Sequence, residues 1–347
     1  MKILYLIHTI DNLGGTELHT KTLSKEVSNF AQTWIVGLSG KGVVIESKGE
    51  RTEIPCELPP FPKTPYQFAP LERVLKDVVD HIQPNVIHIQ HFLRWHYGVL
   101  DQLVSTKIPV YLTLHDYFLF SPAFTYLAST FDEYLKNSKN IFGTDEKDYL
   151  AERYKKLTNS VQRINQLIVP SAFCERVFAK VRYPQVIEHG ITPFKVSGEG
   201  KNIGFVGSFL PQKGSEVILK LGAKRDPLLP PILVYGADGE APGLKFMGTY
   251  SESDRGRVFG DLKAVIIPSL FHETYSLLLS EAWFGGVFPI VSNIGALGER
   301  VKEAGIKCPP GDVLAFKNAL NHIDEHFSPQ KVRLATEMAA EYLTLYG

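Results

Sequence analysis

Two glutamates eight positions apart, Glu273 and Glu281 in the string HETYSLLLSE, straddle a change of pattern in the sequence. The apolar run VIIPSLF ahead of them reads as a buried strand, and LLLSEAWFGG behind reads as a helix closed by glycines. Glu273 is therefore expected in the turn and Glu281 inside the helix. A carboxylate near a helix N-terminus can accept hydrogen bonds from hydroxyl groups. The backbone N–H groups of Thr274, Tyr275 and Ser276 would face the same anion-binding end. Sugar, phosphate or ribose could all be held there. The plain alternative is that Glu273 caps the helix and Glu281 is solvated on its outer face, the common fate of glutamates.

Other residue types suited to this chemistry recur at strand ends. Gly14 and Gly15, in DNLGGTELHT, lie where a first strand turns into a helix, and glycines there let backbone approach a phosphate or sugar closely. The spacing is not G-x-G-x-x-G, which disfavours a dinucleotide dehydrogenase. A tight turn needing positive φ is the structural alternative, and Glu17 could simply stabilise the first helical turn. Lys213 and Gly214, in VGSFLPQKGSEV, stand between a strand and a helix in the reverse order of a P-loop. An ammonium at that point could neutralise charge on a departing diphosphate. His115 ends the run VYLTL, at the carboxyl edge of a parallel sheet where ligands bind. His88, His91 and His96 are close in sequence, but they fall on different elements without a completing carboxylate, so no metal site is expected from them.

The elements that must position these residues alternate along the chain. ILYLI, VIHIQ, VYLTL and LIVP are each followed by an amphipathic or polar stretch, and the pattern restarts at IGFVG and runs through ILVYGA, LKFMG, AVIIPS and FPIVS. Such alternation marks parallel sheets covered by helices. The turn-rich stretch TPFKVSGEGK between the two series gives a domain boundary near residues 192–200. A single β/α barrel is the alternative architecture, but it would not need that linker. No repeat of roughly 20 to 50 residues is present.

With 347 residues, 44% hydrophobic and 21% charged, the chain has the composition of an ordinary globular protein large enough for two domains. Lys plus Arg equals Asp plus Glu at 37 each, which argues against a nucleic-acid footprint. No run approaches the roughly 18 apolar residues of a membrane span, and MKILYLIHTIDN is too short in its apolar part for a secretory signal, so a cytoplasmic location is expected. Cys56, Cys174 and Cys308 are odd in number and widely spaced, and read as reduced, mostly buried thiols. Residues 118–165 read as a polar and aromatic insertion whose Arg153, Lys155, Lys156 and Arg163 make a solvated helix face, with weak peripheral contact to anionic lipid as the lesser alternative.

The string E-x7-E followed by EAWFGGVFPIVSNIGALGE resembles the donor-binding segment of retaining, family-four glycosyltransferases (glycosyl transferases group 1). GG-x-E at Gly14, LHDYFLFSP around His115, Pro170-Ser171 and His189-Gly190-Ile191 resemble further landmarks of that family, in its order. The resemblance implies a GT-B fold: α/β, two Rossmann-like doubly wound domains facing across a cleft. Residues 1–191 would bind the acceptor, with a C-terminal helix at about 329–347 packing back on them, and residues 201–328 would bind a nucleotide-sugar donor. It implies a metal-independent, retaining hexosyltransferase with no permanently bound cofactor, using a UDP-sugar or GDP-sugar and a glycan or lipid-linked acceptor in surface polysaccharide or glycoconjugate synthesis. By the same resemblance Lys213 stabilises the leaving diphosphate, Glu273 orients the sugar, Glu281 holds the ribose and His115 lies beside the anomeric carbon. Gly14, Gly15, Ser208, Thr274, Tyr275 and Ser276 would line the donor site, and residues 247–250 would hold the base. The chain departs from the family at Trp283 and Phe284, where small residues are usual, by one extra residue between Gly286 and Pro289, and at Gly298 in place of proline. Ser208 stands where the family carries an arginine. That departure keeps open a weakly catalytic sugar-nucleotide-binding subunit, beside a sugar-nucleotide epimerase or phosphorylase on the same fold.

Overall fold

Short apolar runs separated by amphipathic stretches build two sheets in the computed structural model, which describes residues 1–11, 14–61, 64–122, 147–323 and 326–347. Half of the insertion read at 118–165, namely residues 123–146, lies outside the described residues. The chain divides into two units, one of residues 1–190 with 335–347 and the other of residues 191–334.

The first unit opens with β1 (Lys2–Leu6), α1 (Gly15–Val27) and three strands, β2 (Gln32–Leu38), β3 (Gly42–Ser47) and β4 (Glu50–Pro55). There follow α2 (Ala69–Ile82), β5 (Val86–Ile89), α3 (Val99–Ser105), β6 (Val110–Thr113), α4 (Lys147–Val161), β7 (Gln166–Val169), α5 (Ala172–Phe178) and β8 (Gln185–Val186). The strands form one sheet in the order β4-β3-β2-β1-β5-β6-β7-β8. Both faces are covered. Leu4 and Leu6 join one core cluster and Ile3 and Tyr5 the other, which is why β1 reads as an unbroken apolar run.

Parallel pairing holds from β2 to β8, whereas β3 and β4 pair antiparallel at the edge. Alternation had suggested parallel strands alone. The hairpin arises because Ser47 pairs with Glu50 across a two-residue turn, Lys48-Gly49, with both φ values positive at 51° and 82°. That is the backbone handedness favoured by tight β-hairpins.

The second unit contains β9 (Asn202–Val206), α6 (Ser215–Ala223), β10 (Ile232–Tyr235), β11 (Leu244–Phe246), α7 (Arg255–Gly260) and β12 (Leu262–Ile267). It continues with α8 (Leu277–Phe284), β13 (Phe288–Ser292), α9 (Gly295–Val301), β14 (Ile306–Cys308) and α10 (Val313–Ala319). Its parallel sheet has the order β11-β10-β9-β12-β13-β14. Counted within the unit this is 3-2-1-4-5-6, so strand order reverses between β9 and β12, and ligands bind beyond the carboxyl ends of strands at such a point.

The last helix, α11 (Ala335–Tyr346), belongs to the first unit. It starts later than the 329 expected from its amphipathic pattern, because Arg333 and Leu334 form an extended link in which Ile191 N–H donates to Arg333 O and Ile191 bridges Leu334. Met338, Ala339, Tyr342 and Tyr346 enter the cluster around Ile3 and Tyr5. Tyr111 Oη donates to Leu345 O at 3.0 Å and Gly190 N–H points at Met338 Sδ at 3.1 Å. No helix among the described residues is long and apolar enough to cross a membrane.

Arg153 is corrected from its place on a solvated face. It is 3% exposed, its guanidinium donates to the carbonyls of Leu119 and Phe118, and it lies 4.7 Å above the Tyr97 ring. The Tyr97 and Phe118 rings and two carbonyls take its charge instead of solvent. Lys156 pairs with Glu152 at 2.7 Å, and Arg163 pairs with Asp101. Cys174 and Cys308 are buried and Cys56 is half-buried; all three are free thiols.

His96 lies before α3 at 1% exposure, and burial pushes its pKa down to about 4, against the opposing charge of Glu72 on α2. A histidine whose folded pKa is depressed binds its proton more tightly when unfolded. Stability is therefore full above about pH 6.5 and declines by up to about 1.4 kcal/mol per pH unit down to the folded pKa. His96→Phe should flatten the acid limb of the melting temperature between pH 6.5 and 4; an unchanged slope would refute the assignment.

Candidate functional site

Lys213 and Glu273 meet at the point where strand order reverses in the second unit. The loop after β9 carries Lys213, the loop after β12 carries Glu273, and Lys213 Nζ lies 2.8 Å from Glu273 Oε1. The same oxygen accepts from Ser269 Oγ at 2.7 Å. Glu273 is 7% exposed, whereas Lys213 keeps its ammonium within reach of solvent, 4.7 Å above the Phe271 ring. The pair thus presents a cation and a second carboxylate oxygen.

Backbone geometry fixes this approach. Gly214 has φ of +84°, and a Cβ there would come within 2.0 Å of Pro268 O. Only glycine lets the two loops touch, and Leu270 N–H donating to Gln212 O at 2.8 Å ties them further. Ala296 N–H, at the start of α9, donates to Glu273 O at 2.9 Å.

Ser276 caps α8, its Oγ accepting from Leu279 N–H at 3.4 Å, and holds the left-handed φ of 71° that a non-glycine residue adopts at a cost. Arg300 pins this turn from α9. Its guanidinium donates to the carbonyls of Tyr275 at 2.6 Å and Ser276 at 3.0 Å and to Ser280 Oγ at 2.8 Å, and lies 3.5 Å above the Tyr275 ring. Thr274 is half-buried and Tyr275 buried in the same turn.

Glu281, on α8, forms a separate buried pair. At 6% exposure its Oε1 accepts from Arg255 Nη1 at 3.1 Å, while Arg255 Nη2 reaches Glu252 at 2.8 Å. Burial pushes the Glu281 carboxyl above the usual range, and Arg255 opposes that shift. Tyr250 beside it is driven up by burial and by the charge of Glu281. Trp283 occupies a small-residue position because its indole fills the core and donates to Ala304 O at 3.0 Å. Ser208 is exposed in the loop after β9.

The remaining candidates lie in the first unit. Gly14 is the N-cap of α1 with φ of −82°, so no positive φ accounts for it, and Gly15 opens the helix. Glu17 does not merely face the first turn: at 5% exposure it lies 3.0 Å from His8 Nε2. Burial alone would raise its carboxyl, yet the His8 hydrogen bond and charge hold it below the ordinary range.

His115 follows β6. Its Nε2–H donates to Gln90 Oε1 at 2.7 Å, which leaves Nδ1 as the lone-pair nitrogen, 3.2 Å from His189 Nε2. Burial, reinforced by neighbouring imidazoles led by His19, keeps His115 neutral with a pKa well below the ordinary value. His88, His91 and His96 have separate surroundings. His88 bonds Tyr346 Oη at 2.5 Å and Thr113 Oγ1 at 2.8 Å, His91 bonds Asp116 at 3.1 Å, and His96 faces Glu72 at 3.7 Å.

Sequence reasoning did not find Ser269, Arg255, Arg300, Gln90 or His19. Ser269 stood four residues before Glu273 in a run read as strand, and Gln90 two residues after His88 on one strand face. Arg255 and Arg300 are 26 and 25 residues from the groups they hold, with no spacing signal to connect them.

Residues 13–193, just over half of the sequence, match the profile of glycosyltransferase family 4, and the chain belongs to that family. It is a transferase with the GT-B fold. The sucrose-phosphate synthase of Thermosynechococcus elongatus superposes with a TM-score of 0.69 at 16% identity, over 99% of this chain and 94% of that one. Anabaena HepE in complex with UDP-glucose gives 0.68 at 15% identity, over 99% and 100%. The catalytic domain of Arabidopsis thaliana starch synthase IV bound to ADP and acarbose gives 0.63 at 13%, over 99% and 98%. No curated protein matches in sequence.

Removing one partner of a buried ion pair leaves an uncompensated charge, at about 3–5 kcal/mol. Arg255→Met should therefore destabilise the protein strongly. Because a carboxyl raised in the fold binds its proton more tightly there than when unfolded, the loss should grow as pH rises through its folded pKa. Denaturant unfolding at pH 5 and pH 8 checks this, and Arg255→Met with Glu281→Gln should recover most of the loss.

Proposed function

We propose that the protein is a retaining, metal-independent hexosyltransferase that moves a sugar from a UDP- or GDP-sugar to a hydroxyl of a glycan or lipid-linked acceptor. The observation that carries this reading is the Lys213–Glu273 pair at the strand-order reversal of the second unit. In the reaction the bond from the anomeric carbon to the diphosphate breaks with its electrons leaving on oxygen. Lys213 stabilises that charge. The acceptor oxygen attacks from the same face, and its proton passes to the departing phosphate oxygen, so no enzymic nucleophile is required. A fixed ammonium supplies the charge that a metal ion supplies elsewhere.

Glu273, held by Ser269 and the backbone of α9, accepts hydrogen bonds from the sugar hydroxyls. Glu281 accepts from the ribose, the backbone of Thr274, Tyr275 and Ser276 faces the phosphates, and residues 247–250 hold the base. Gly14, Gly15 and a neutral His115 serve the reacting end from the first unit, which takes the acceptor, while the second unit takes the donor. Structures of similar fold that contain UDP-glucose or ADP support a nucleotide donor. The reading extends to a cytoplasmic enzyme of surface polysaccharide or glycoconjugate synthesis.

Ser208 favours a second reading, a sugar-nucleotide-binding subunit of weak catalysis, because a small neutral residue is exposed where the family has a cation. Thermal shift with UDP-, GDP- and ADP-sugars, alongside donor turnover, separates the two. The enzyme reading predicts a shift with one nucleotide class that is lost in Glu281→Gln. It also predicts turnover lowered by about a hundredfold or more in Lys213→Ala and in Glu273→Gln. A donor-induced shift without turnover would support the binding subunit, and near wild-type turnover in both variants would overturn the enzyme assignment.

A further inference from the structure

We propose that His19, His115 and His189 form a binding site for a divalent first-row transition ion, with Zn2+ as the fitting case. The three residues come from α1, the end of β6 and the segment after β8, all in the first unit. One ring nitrogen from each lies within 4.8 Å of the others. The ring centroids are 4.7, 4.1 and 5.0 Å apart. The closest approach, 3.2 Å between His115 Nδ1 and His189 Nε2, is close to the roughly 3.3 Å that separates two nitrogens sharing a tetrahedral zinc with bonds of about 2.0–2.1 Å.

A hydrogen bond between His115 and His189 would account for that pair alone. It does not account for His19, which is 2% exposed with neither ring nitrogen hydrogen-bonded among the described residues. Buried polar atoms normally have partners, and an ion shared with the other two rings would supply one.

Hydrogen bonds of the kind that orient metal-binding histidines are present. Gln90 Oε1 takes the Nε2–H of His115 and so directs the Nδ1 lone pair toward His189. Gln90 Nε2 is itself placed by His88, whose ring is held by Tyr346. Burial keeps His19 and His115 neutral, with His19 pushed down to about 3, so protons do not compete for their lone pairs near neutral pH. Three imidazoles suit Zn2+, Co2+, Ni2+ or Cu2+, not Mg2+ or Ca2+. His115, the most exposed of the three at 9%, is the ring nearest to solvent.

The ion is not needed for transfer. Where the transferase reading holds, it occupies Nδ1 of His115 and so inhibits, but the site itself does not depend on that reading.

The test uses full-length protein freed of metal by chelator, titrated with Zn2+ against a chromogenic chelator and, separately, with Co2+ followed by visible absorption. One equivalent of Zn2+ should bind, and Co2+ should give the intense d–d bands of a tetrahedral complex. His19→Phe should lower Zn2+ affinity by more than about a hundredfold, beyond the 10–100-fold typical of losing an outer-shell partner. It replaces a polar group lacking a hydrogen bond with an apolar one, so its melting temperature should hold. His189→Gln provides a second ligand variant, and His96→Phe, outside the triad, should bind Zn2+ like wild type. Absence of Zn2+ binding by the wild type, or unchanged affinity in either ligand variant, would overturn the proposal.

Discussion

The ion pair between Lys213 and Glu273 is the interaction around which the second unit is arranged. It needs two loops from neighbouring strands to come within touching distance, and the reversal of strand order between β9 and β12 is what places those loops side by side. Gly214 removes the Cβ that would block the approach, Ser269 holds the carboxylate, and the Ala296 N–H of α9 holds its backbone. A half-exposed lysine and a buried carboxylate make a pair of modest intrinsic strength, since solvent screens the exposed partner. Its precision therefore comes from the loops.

The two units handle buried polar chemistry differently. In the second, buried carboxylates are each matched by a cation: Glu273 by Lys213 and Glu281 by Arg255. In the first, burial is relieved by discharging the imidazoles, so His88 and His115 sit neutral among tyrosines, Gln90 and one another. Neutral rings keep their lone pairs directed inward without the desolvation penalty of an ion. His8 and Glu17 add an ionisable pair at the start of α1.

The strand-to-helix boundaries that carry Glu273 and Lys213 were legible because apolar runs and helical patterns change abruptly there, and Ser276 and Gly214 mark the turns. Both sheets were legible in outline for the same reason. The β3–β4 hairpin was not, since only Lys48-Gly49 signals it and alternation looks alike in either strand direction. Arg255 and Arg300 were illegible because their partners are set by which helices flank β12 and β13, a tertiary fact. His19 and His189 are 170 residues apart in the chain, and nothing in one sequence brings them together before the fold is known. The late start of α11 was hidden because residues 329–334 are compatible with helix, and the link to Ile191 outweighs that local preference.

Helix α11 also sets an order of events. The first unit receives part of its core, through Met338, Tyr342 and Tyr346, from a segment that leaves the ribosome only after the whole of the second unit has been made. During synthesis the N-terminal sheet must wait with the face around Ile3, Tyr5 and His88 uncovered, while residues 191–334 can complete their own sheet first. The unit translated first is thus the one finished last, and that interval is when its apolar surface is most open to chaperones or to misassociation.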